Sequence, residues 1–350
     1  MEQLKQTALW LARLWPLWIW CALAAGLTRT LKDIGFKVVL DGAAAEFAAS
    51  TLECIAVFWF VILCSVGPAA LWRARQLRRA GKPLMLDTSV AWRAILWSGV
   101  INIVAYAMFL ESLRFGEFSI ATMLRNTVPL WSMVSGLLMA GLPAGVWRRI
   151  LGKFFTETHI TALKAWGSVL VVAGIVGIYS QAPTGLAGEF DTTLYSSLLA
   201  VACAFLFVFA AALDNQGVGE KQGGMDPIIY SASLYASSGA GLILLALTFG
   251  SLQTMFEIVA RWWDVLIWIS VFGSLGTVFT ALTFRVGKGI INAVPALRIQ
   301  VIFSVGLGGW FFAESGLFEK LFSAMVLTAG IAMVAWGSRP PAVAAPIKTS

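Results

Sequence analysis

The stretch FSIATMLRNTVPLWSMVSGLLMAGL, from Phe118 to Leu142, contains the features that decide the fold. It is almost wholly apolar, and it is long enough to cross a membrane, since a spanning helix needs about 20 apolar residues. Arg125 and Asn126 nevertheless stand inside it. A charged side chain is costly within a bilayer, so it usually faces other helices or an aqueous cavity. The stretch therefore predicts a membrane helix with one polar side turned towards the protein.

The composition of the whole chain indicates the same class. The 350 residues are 59% hydrophobic and 12% charged, and the mean hydropathy is +0.82. Soluble domains carry about 25% charged residues, so this chain lacks the polar side chains that a water-soluble surface needs. The formal net charge of +7 is interpreted as loop lysine and arginine facing the cytoplasm, and it does not indicate nucleic-acid binding. We expect an integral membrane protein.

Residue types that serve metal, redox and nucleotide chemistry are sparse. The single histidine, His159, stands in a polar segment, and no GxxxxGK[ST] phosphate loop occurs. The four cysteines lie in apolar runs without CxxC spacing, which is typical of small packing residues; they are Cys21, Cys54, Cys64 and Cys203. We therefore expect no disulfide, metal or cofactor. An enzyme is disfavoured because no nucleophile, base and acid converge in the pattern.

Ten apolar segments are predicted to span the membrane as an all-α protein. They cover 16–39, 51–72, 92–111, 118–141, 163–180, 192–213, 227–249, 264–284, 290–312 and 319–337. Most loop lysines and arginines fall on one side, which the positive-inside rule assigns to the cytoplasm together with both termini. Residues 1–15 are then a cytoplasmic or interfacial segment, and 339–350 are a cytoplasmic tail. The expected location is the plasma membrane, of the bacterial inner-membrane type.

The chain contains an internal repeat. The turns SLRFGEFS and TFRVGKGI each join two spans, and an offset of 171 residues aligns Arg114 with Arg285 and Gly116 with Gly287. The halves are residues 1–181 and 192–338, with five spans each. An odd number of spans makes the second half enter the membrane upside down, which is the inverted-repeat architecture of secondary transporters.

Two longer stretches resemble a known family. They are AYAMFLESLRFGEFSIATMLRNTVPLWSMVSGLLMAGL and ALTFRVGKGIINAVPALRIQVIFSVGLGGWFFAESGLFEKLFSAMVLTAGIAMVAWGS, in which Pro129, Glu314 and Gly330 match the pattern. The chain is similar to the EamA-type branch of the drug/metabolite transporter superfamily. The first half departs from the pattern, because MAGLPAG stands where a glutamate is usual. The resemblance implies ten helices, alternating access without ATP, and a central cavity lined mainly by spans one, three, four, six, eight and nine.

Two arginines are predicted near the membrane midplane. Arg125 lies nine residues after Gly116, and Arg298 lies nine residues after Gly289. Nine helical residues rise about 13.5 Å, against a half-thickness of about 15 Å for the apolar layer. Arginine offers a planar fork of donors that suits carboxylate and phosphate groups. We expect both side chains to present positive charge to a small anionic substrate, such as a phosphoester, a nucleotide-like molecule or a carboxylate.

Other residues complete this predicted site or compete with it. Arg29 and Lys32 of the first span are expected to add positive charge. The remaining candidate substrate contacts are Asn126, Asn102, Tyr106, Ser274 and Thr277, and the candidate helix kinks are Pro129 and Pro295. A structural alternative is a fixed ion pair of an arginine with Glu53, Glu111 or Asp33. Glu53 and Glu111 are expected to be structural, and Glu314 is expected to have a structural or capping role.

Several functions stay open at this level. The leading hypothesis is a secondary transporter of a small organic anion that contacts the lipid bilayer and binds no nucleic acid. The alternatives are an exporter of amino acids or other zwitterions, whose carboxylate the arginines would hold, and a flippase for an anionic lipid carrier. A scaffold protein is disfavoured by the midplane charges. The sequence leaves monomer and homodimer open.

Overall fold

A computed structural model describes residues 17–141, 161–180, 187–218, 224–286 and 299–337. Within those ranges the chain forms helices joined by short turns, without a strand. The helices are α1 (Leu17–Phe47), α2 (Thr51–Arg79), α3 (Thr88–Phe115), α4 (Phe118–Arg125), α5 (Val128–Gly141), α6 (Ala162–Tyr179), α7 (Ala187–Val218), α8 (Pro227–Phe249), α9 (Leu252–Arg261), α10 (Trp263–Val286), α11 (Gln300–Phe311) and α12 (Leu317–Trp336). The predicted all-α class is confirmed.

Six of the described helices are long and apolar enough to cross a membrane, judged by length and composition. They are α2, α3, α7, α8, α10 and α12. Large apolar side chains cover their outer faces, as shown by Leu71, Trp72 and Phe318, which are 67%, 62% and 83% exposed. Water would disfavour such a surface, whereas lipid chains solvate it. The fold is therefore that of a multi-pass membrane protein.

The predicted fourth span is divided into α4 and α5. Asn126 and Thr127 form a turn between the two helices, and the amide of Thr127 donates to the carbonyl of Leu124 at 3.1 Å. Pro129 stands second in α5 and has no N–H to donate to the preceding turn. The proline thus explains why the helix is interrupted just before it. The break places Arg125 at the C-terminus of α4.

Several other boundaries differ from the prediction. α1 and α2 continue to Phe47 and Arg79, whereas the apolar pattern predicted ends at residues 39 and 72. α7 continues to Val218, whereas the apolar pattern predicted an end at residue 213. α9 was not predicted at all; it has ten residues, of which Ile258 is buried, and Ser251 caps its first turn. A helix this short lies below the length that hydropathy detects as a span. In α11 the backbone widens to a π-helical turn over Ser304–Gly308.

The helices pack in neighbouring pairs, chiefly α1 with α10, α2 with α8, α3 with α7, and α6 with α12. Glycine allows the closest of these approaches. A Cβ atom placed on Gly330 of α12 would lie 2.6 Å from the carbonyl oxygen of Gly167 in α6. Phe36 of α1 stacks on Phe58 of α2 with ring centroids 4.4 Å apart, inside the largest buried cluster. These pairings leave a polar cavity between the helices.

Candidate functional site

The cavity lies among α1, α2, α3, α4, α7, α8, α10 and α11 and has a volume of about 170 Å³. That is room for roughly ten water molecules. Its charged lining residues are Arg29, Lys32, Asp33, Arg125 and Asp214, and its aromatic ones are Trp59, Tyr106, Phe207, Tyr230 and Tyr235. A concave site with apolar walls and a few converging polar groups is the usual form of a small-molecule site.

Arg125 forms a buried ion pair. Its Nη2 atom donates to Oδ2 of Asp33 at 2.6 Å, and the two side chains are 6% and 0% exposed. The guanidinium carbon also lies 3.9 Å from the ring centroid of Phe109. Arg125 ends α4, where the partial negative charge of a helix C-terminus favours a cation. This contact is the internal ion pair that the sequence left open as an alternative, with Asp33 as the partner.

The carboxylate of Asp33 contacts side chains from three helices, which are α1, α4 and α11. In addition to Arg125, it accepts a hydrogen bond from Nε2 of Gln300 in α11 at 3.1 Å. Its Oδ1 atom accepts no hydrogen bond but lies 3.3 Å from the ammonium nitrogen of Lys32. That nitrogen also sits over the ring of Tyr106, 5.1 Å from its centroid. Asp33 therefore neutralises part of the cationic charge of the cavity.

Arg29 differs from the other two cavity cations. It is half-buried on the cavity wall, and among the described residues it has no hydrogen bond and no ion pair. Gly276 of α10 makes room for its stem, because a Cβ there would lie 3.1 Å from Cγ of Arg29. A guanidinium on the wall of a polar cavity, without an ion pair to another described residue, can bind a carboxylate or phosphate.

Asp214 is a functional candidate that sequence reasoning missed. Its Oδ1 atom accepts hydrogen bonds from the hydroxyls of Ser98 at 2.6 Å and Tyr230 at 2.7 Å. Asn102 supports this arrangement by donating to Oγ of Ser98 at 3.0 Å. The apolar pattern ended the sixth span at residue 213, which left Asp214 in a loop. The available signal was an acidic residue directly after the run FLFVFAAAL.

Three further predicted contacts line the cavity. Tyr106 and Asn102 lie on its α3 wall, and Thr277 lies on its α10 wall. The ring of Tyr106 packs edge-on against Trp59 with centroids 4.7 Å apart. The hydroxyls of Thr277 and Tyr235 are 3.2 Å apart. Asn102 and Tyr106 of the predicted third span and Thr277 of the predicted eighth span therefore meet at one site.

The other predicted site residues do not line the cavity or lie outside the described part of the chain. Ser274 pairs with the hydroxyl of Ser65 between α10 and α2. Asn126 is fully buried, and its Nδ2 donates to the carbonyl of Thr122 at 2.6 Å. The predicted contribution of Arg298 to the site is not tested, because Arg298 and Pro295 fall outside the described residues, as does the side chain of Pro129.

Three charged side chains join α4 to α12 at the end of the bundle where α3 ends. Lys320, which is fully buried, lies 2.8 Å from Glu117 and 3.4 Å from Glu314. Glu314 also accepts the backbone N–H of Ser119 at 3.1 Å, so it caps the first turn of α4. In the turn before α4, burial raises the pKa of Glu117 although Lys320 opposes the shift. The cluster therefore holds the start of α4 against α12 at this end of the bundle.

The other two predicted structural carboxylates lie at the same end. Glu53 completes a capping box with Ser50 at the start of α2 and accepts the N–H of Ser251 at 2.6 Å. Glu111 of α3 accepts a hydrogen bond from the hydroxyl of Thr51. Neither carboxylate pairs with Arg125. Glu53 links the start of α2 to the start of α9, and Glu111 links the end of α3 to the start of α2.

Comparison with known proteins adds information on the fold. No family model matches the chain, and no curated protein matches it. A solved structure described as a crystal structure of a protein is similar, with a TM-score of 0.50 and 17% sequence identity over 89% of this chain and 96% of that chain. At that identity the similarity concerns the arrangement of helices alone. The similarity gives no information on the chemistry of the cavity.

Proposed function

We propose that the protein is a secondary, ATP-independent membrane transporter that moves a small organic anion through the cavity by alternating access. In this proposal, residues 1–181 and 192–338 are two inverted five-helix repeats of the drug/metabolite transporter type, and the protein resides in a plasma membrane. The observation that supports the anionic substrate most directly is Arg29, which lines the cavity without an ion pair to another described residue.

The charge balance of the cavity supports an anion. Arg29, Lys32 and Arg125 contribute three positive charges, and Asp33 and Asp214 contribute at most two negative ones. Asp33 is engaged by Arg125 and Lys32. A charge inside a bilayer needs a partner or water, and an entering anion supplies one to Arg29. The planar guanidinium favours a carboxylate or phosphate group, while the aromatic walls suit the organic part of the ligand.

The position of the cavity supports access from one side. Its lining includes Val218 at the end of α7 and Tyr230 near the start of α8. With the topology predicted from loop charges, these helix ends face the cytoplasm. The cluster of Lys320, Glu117 and Glu314 lies at the opposite end. We interpret the arrangement as a conformation open to the cytoplasm, with the outer end held closed by ion pairs.

A zwitterionic substrate is the second candidate, and Asp214 is the observation that favours it. Asp214 and Arg29 line the same cavity. An amino acid could therefore place its carboxylate at Arg29 and its ammonium group at Asp214. The two candidates differ in one requirement: a zwitterion needs both charged side chains, whereas a simple anion needs Arg29.

Ligand-induced stabilisation of the purified protein tests the proposal. The ligands are lactate, glycerol phosphate, alanine and choline at matched ionic strength, since salt screens charge. The proteins are the wild type, Arg29→Gln, and Arg261→Gln as a charge-matched control on α9, where the arginine is 62% exposed and pairs with Glu46. A ligand at 100 times its Kd adds about 2.7 kcal/mol of stability, which a thermal unfolding curve resolves.

We expect lactate or glycerol phosphate to raise the unfolding temperature of the wild type and of Arg261→Gln, but not of Arg29→Gln. The same anion, labelled, should be taken up into proteoliposomes that contain the wild type or Arg261→Gln, but not into those that contain Arg29→Gln. Stabilisation by alanine alone would favour the zwitterion. An equal anion response in Arg29→Gln, or none in the wild type, would rule out the proposed site.

A further inference from the structure

We propose that Asp214 is a proton-binding site and that its protonation promotes anion binding in the same cavity, so that protons are the coupling ion of transport. The proposal rests on the function proposed above, because it assigns the coupling step to that site. The transfer is balanced: the carboxylate takes one proton from water on one side of the membrane. It then releases that proton to water on the other side.

The hydrogen bonds of Asp214 suit a group that changes protonation. Both partners are neutral hydroxyls, from Ser98 of α3 and Tyr230 of α8, and both contact Oδ1. Hydroxyl groups rotate and either donate or accept, so they accommodate the acid as well as the carboxylate. Oδ2 makes no hydrogen bond to any described residue, and Asp214 lines the cavity. A proton from cavity water can therefore reach that oxygen.

Asp214 also differs from the ion-paired carboxylates of the described helices; Glu53 and Glu111, which likewise have no ion pair among the described residues, do not line the cavity. Asp33 pairs with Arg125, Asp226 with Arg73, and Glu314 with Lys320. Asp214 has no cation within ion-pair distance among the described residues, although it lies in the apolar part of α7. An unpaired carboxylate in a low-dielectric site is stabilised by binding a proton. At Asp33, Asp226 and Glu314 the paired cation stabilises the ionised carboxylate, so no proton is needed there.

The charged and titratable groups that face Asp214 across the cavity come from four helices. They are Arg29, Lys32 and Asp33 of α1, Tyr106 of α3, Arg125 of α4, and Tyr230 and Tyr235 of α8. Among the described residues, α2, α10 and α11 contribute only uncharged side chains to the lining. Since Asp33 and Arg125 are paired, Arg29 is the main positive charge that an anion and the Asp214 carboxylate compete for. Protonation of Asp214 removes that competition and favours the anion.

Proton uptake on ligand binding tests the coupling. Lactate and glycerol phosphate are added to weakly buffered protein with a pH-sensitive dye, and affinity is measured across pH. The variants are Asp214→Asn and, as a matched control, Asp264→Asn, whose carboxylate is exposed at the start of α10. We expect proton uptake and an affinity that rises up to tenfold per pH unit on acidification in the wild type and the control. Asp214→Asn should show neither effect.

Infrared difference titration, which needs no ligand, examines the carboxyl group itself. The protonated-carboxyl band of the wild type should lose one component in Asp214→Asn and none in Asp264→Asn. Should Asp214→Asn fail to fold, Tyr230→Phe retains the carboxylate and removes one donor, and it should displace the pH midpoint of anion binding. These measurements separate the proton site from the substrate class.

Each alternative outcome has a distinct meaning. If the anion binds without proton uptake, or if Asp214→Asn retains the uptake, Asp214 is not the coupling site. The proposed anion transport is then unaffected. An Asp214 titration in the infrared without binding of either anion overturns the coupling and the proposed anionic substrate, while proton binding remains. Binding of alanine that Asp214→Asn abolishes overturns the proposal, because the carboxylate then holds an ammonium group.

Discussion

The ion pair at the centre of the bundle predicts an asymmetry between its two partners. In Arg125→Gln the Asp33 carboxylate keeps the ammonium group of Lys32 at 3.3 Å and the amide of Gln300 at 3.1 Å. In Asp33→Asn, by contrast, Arg125 and Lys32 are both left buried without a counter-charge. Phe109 still faces the guanidinium, but an aromatic ring does not replace a carboxylate. Asp33→Asn should therefore be the more destabilising change.

The magnitudes follow from what each variant leaves unpaired. Removing one partner of a buried ion pair costs about 3–5 kcal/mol, and we expect Asp33→Asn to fall in that range. Arg125→Gln leaves a neutralised carboxylate with one lost hydrogen bond, so about 1–3 kcal/mol is expected. The double variant restores overall charge balance apart from Lys32. Its free-energy change should be smaller than the sum of the two single changes by about 0.5–3 kcal/mol.

The assay is reversible denaturant unfolding in mixed micelles, with the wild type, both single variants and the double variant. Glu46→Gln, which breaks the exposed pair with Arg261, serves as a control and should change the free energy of unfolding by about 0–1 kcal/mol. Equal destabilisation by Arg125→Gln and Asp33→Asn would contradict the predicted asymmetry. Single changes that add without coupling would show that Arg125 and Asp33 do not stabilise each other.

Two further predictions concern helix packing and capping. Gly330→Ala should destabilise the fold by about 1–3 kcal/mol, because the new Cβ would meet the carbonyl of Gly167 at 2.6 Å. Gly239→Ala inside α8, whose new Cβ would have only a 4.0 Å contact with Trp59, should instead stabilise the fold by about 0.5–1 kcal/mol; equal unfolding midpoints of the two variants would contradict this. At the start of α3, the N–H of Val90 lowers the pKa of Asp87, so its stabilising effect should be present above about pH 3.9 and be lost as the pH falls below it. Asp87→Asn should lack this acid-dependent loss in unfolding midpoints measured at neutral and acidic pH, and an unchanged pH dependence would refute the assignment.

Much of the candidate site could be anticipated from the sequence. Placing a polar side chain inside a membrane costs free energy, so a polar residue in an apolar segment indicates a functional position. The predicted residues that line the cavity are Arg29, Lys32, Asn102, Tyr106, Arg125 and Thr277. Asp214 could not be found in this way, because the hydropathy pattern ended at residue 213. The helix continues to Val218, and Ser98 and Tyr230 donate hydrogen bonds to the Asp214 carboxylate inside it. Those partners come from α3 and α8, which are remote in sequence.

The sequence by itself determined the all-helical class and the membrane-type surface, because hydropathy and helix length are local properties of a chain segment. It also determined that Arg125 needs a partner, since a guanidinium cannot lose its charge. Only the tertiary structure decided that Asp33 is that partner, that Gln300 shares it, and that Arg29 is left facing the cavity. The physical reason is that pairing depends on distances between α1, α4 and α11. Helix packing sets those distances, and no local pattern encodes them.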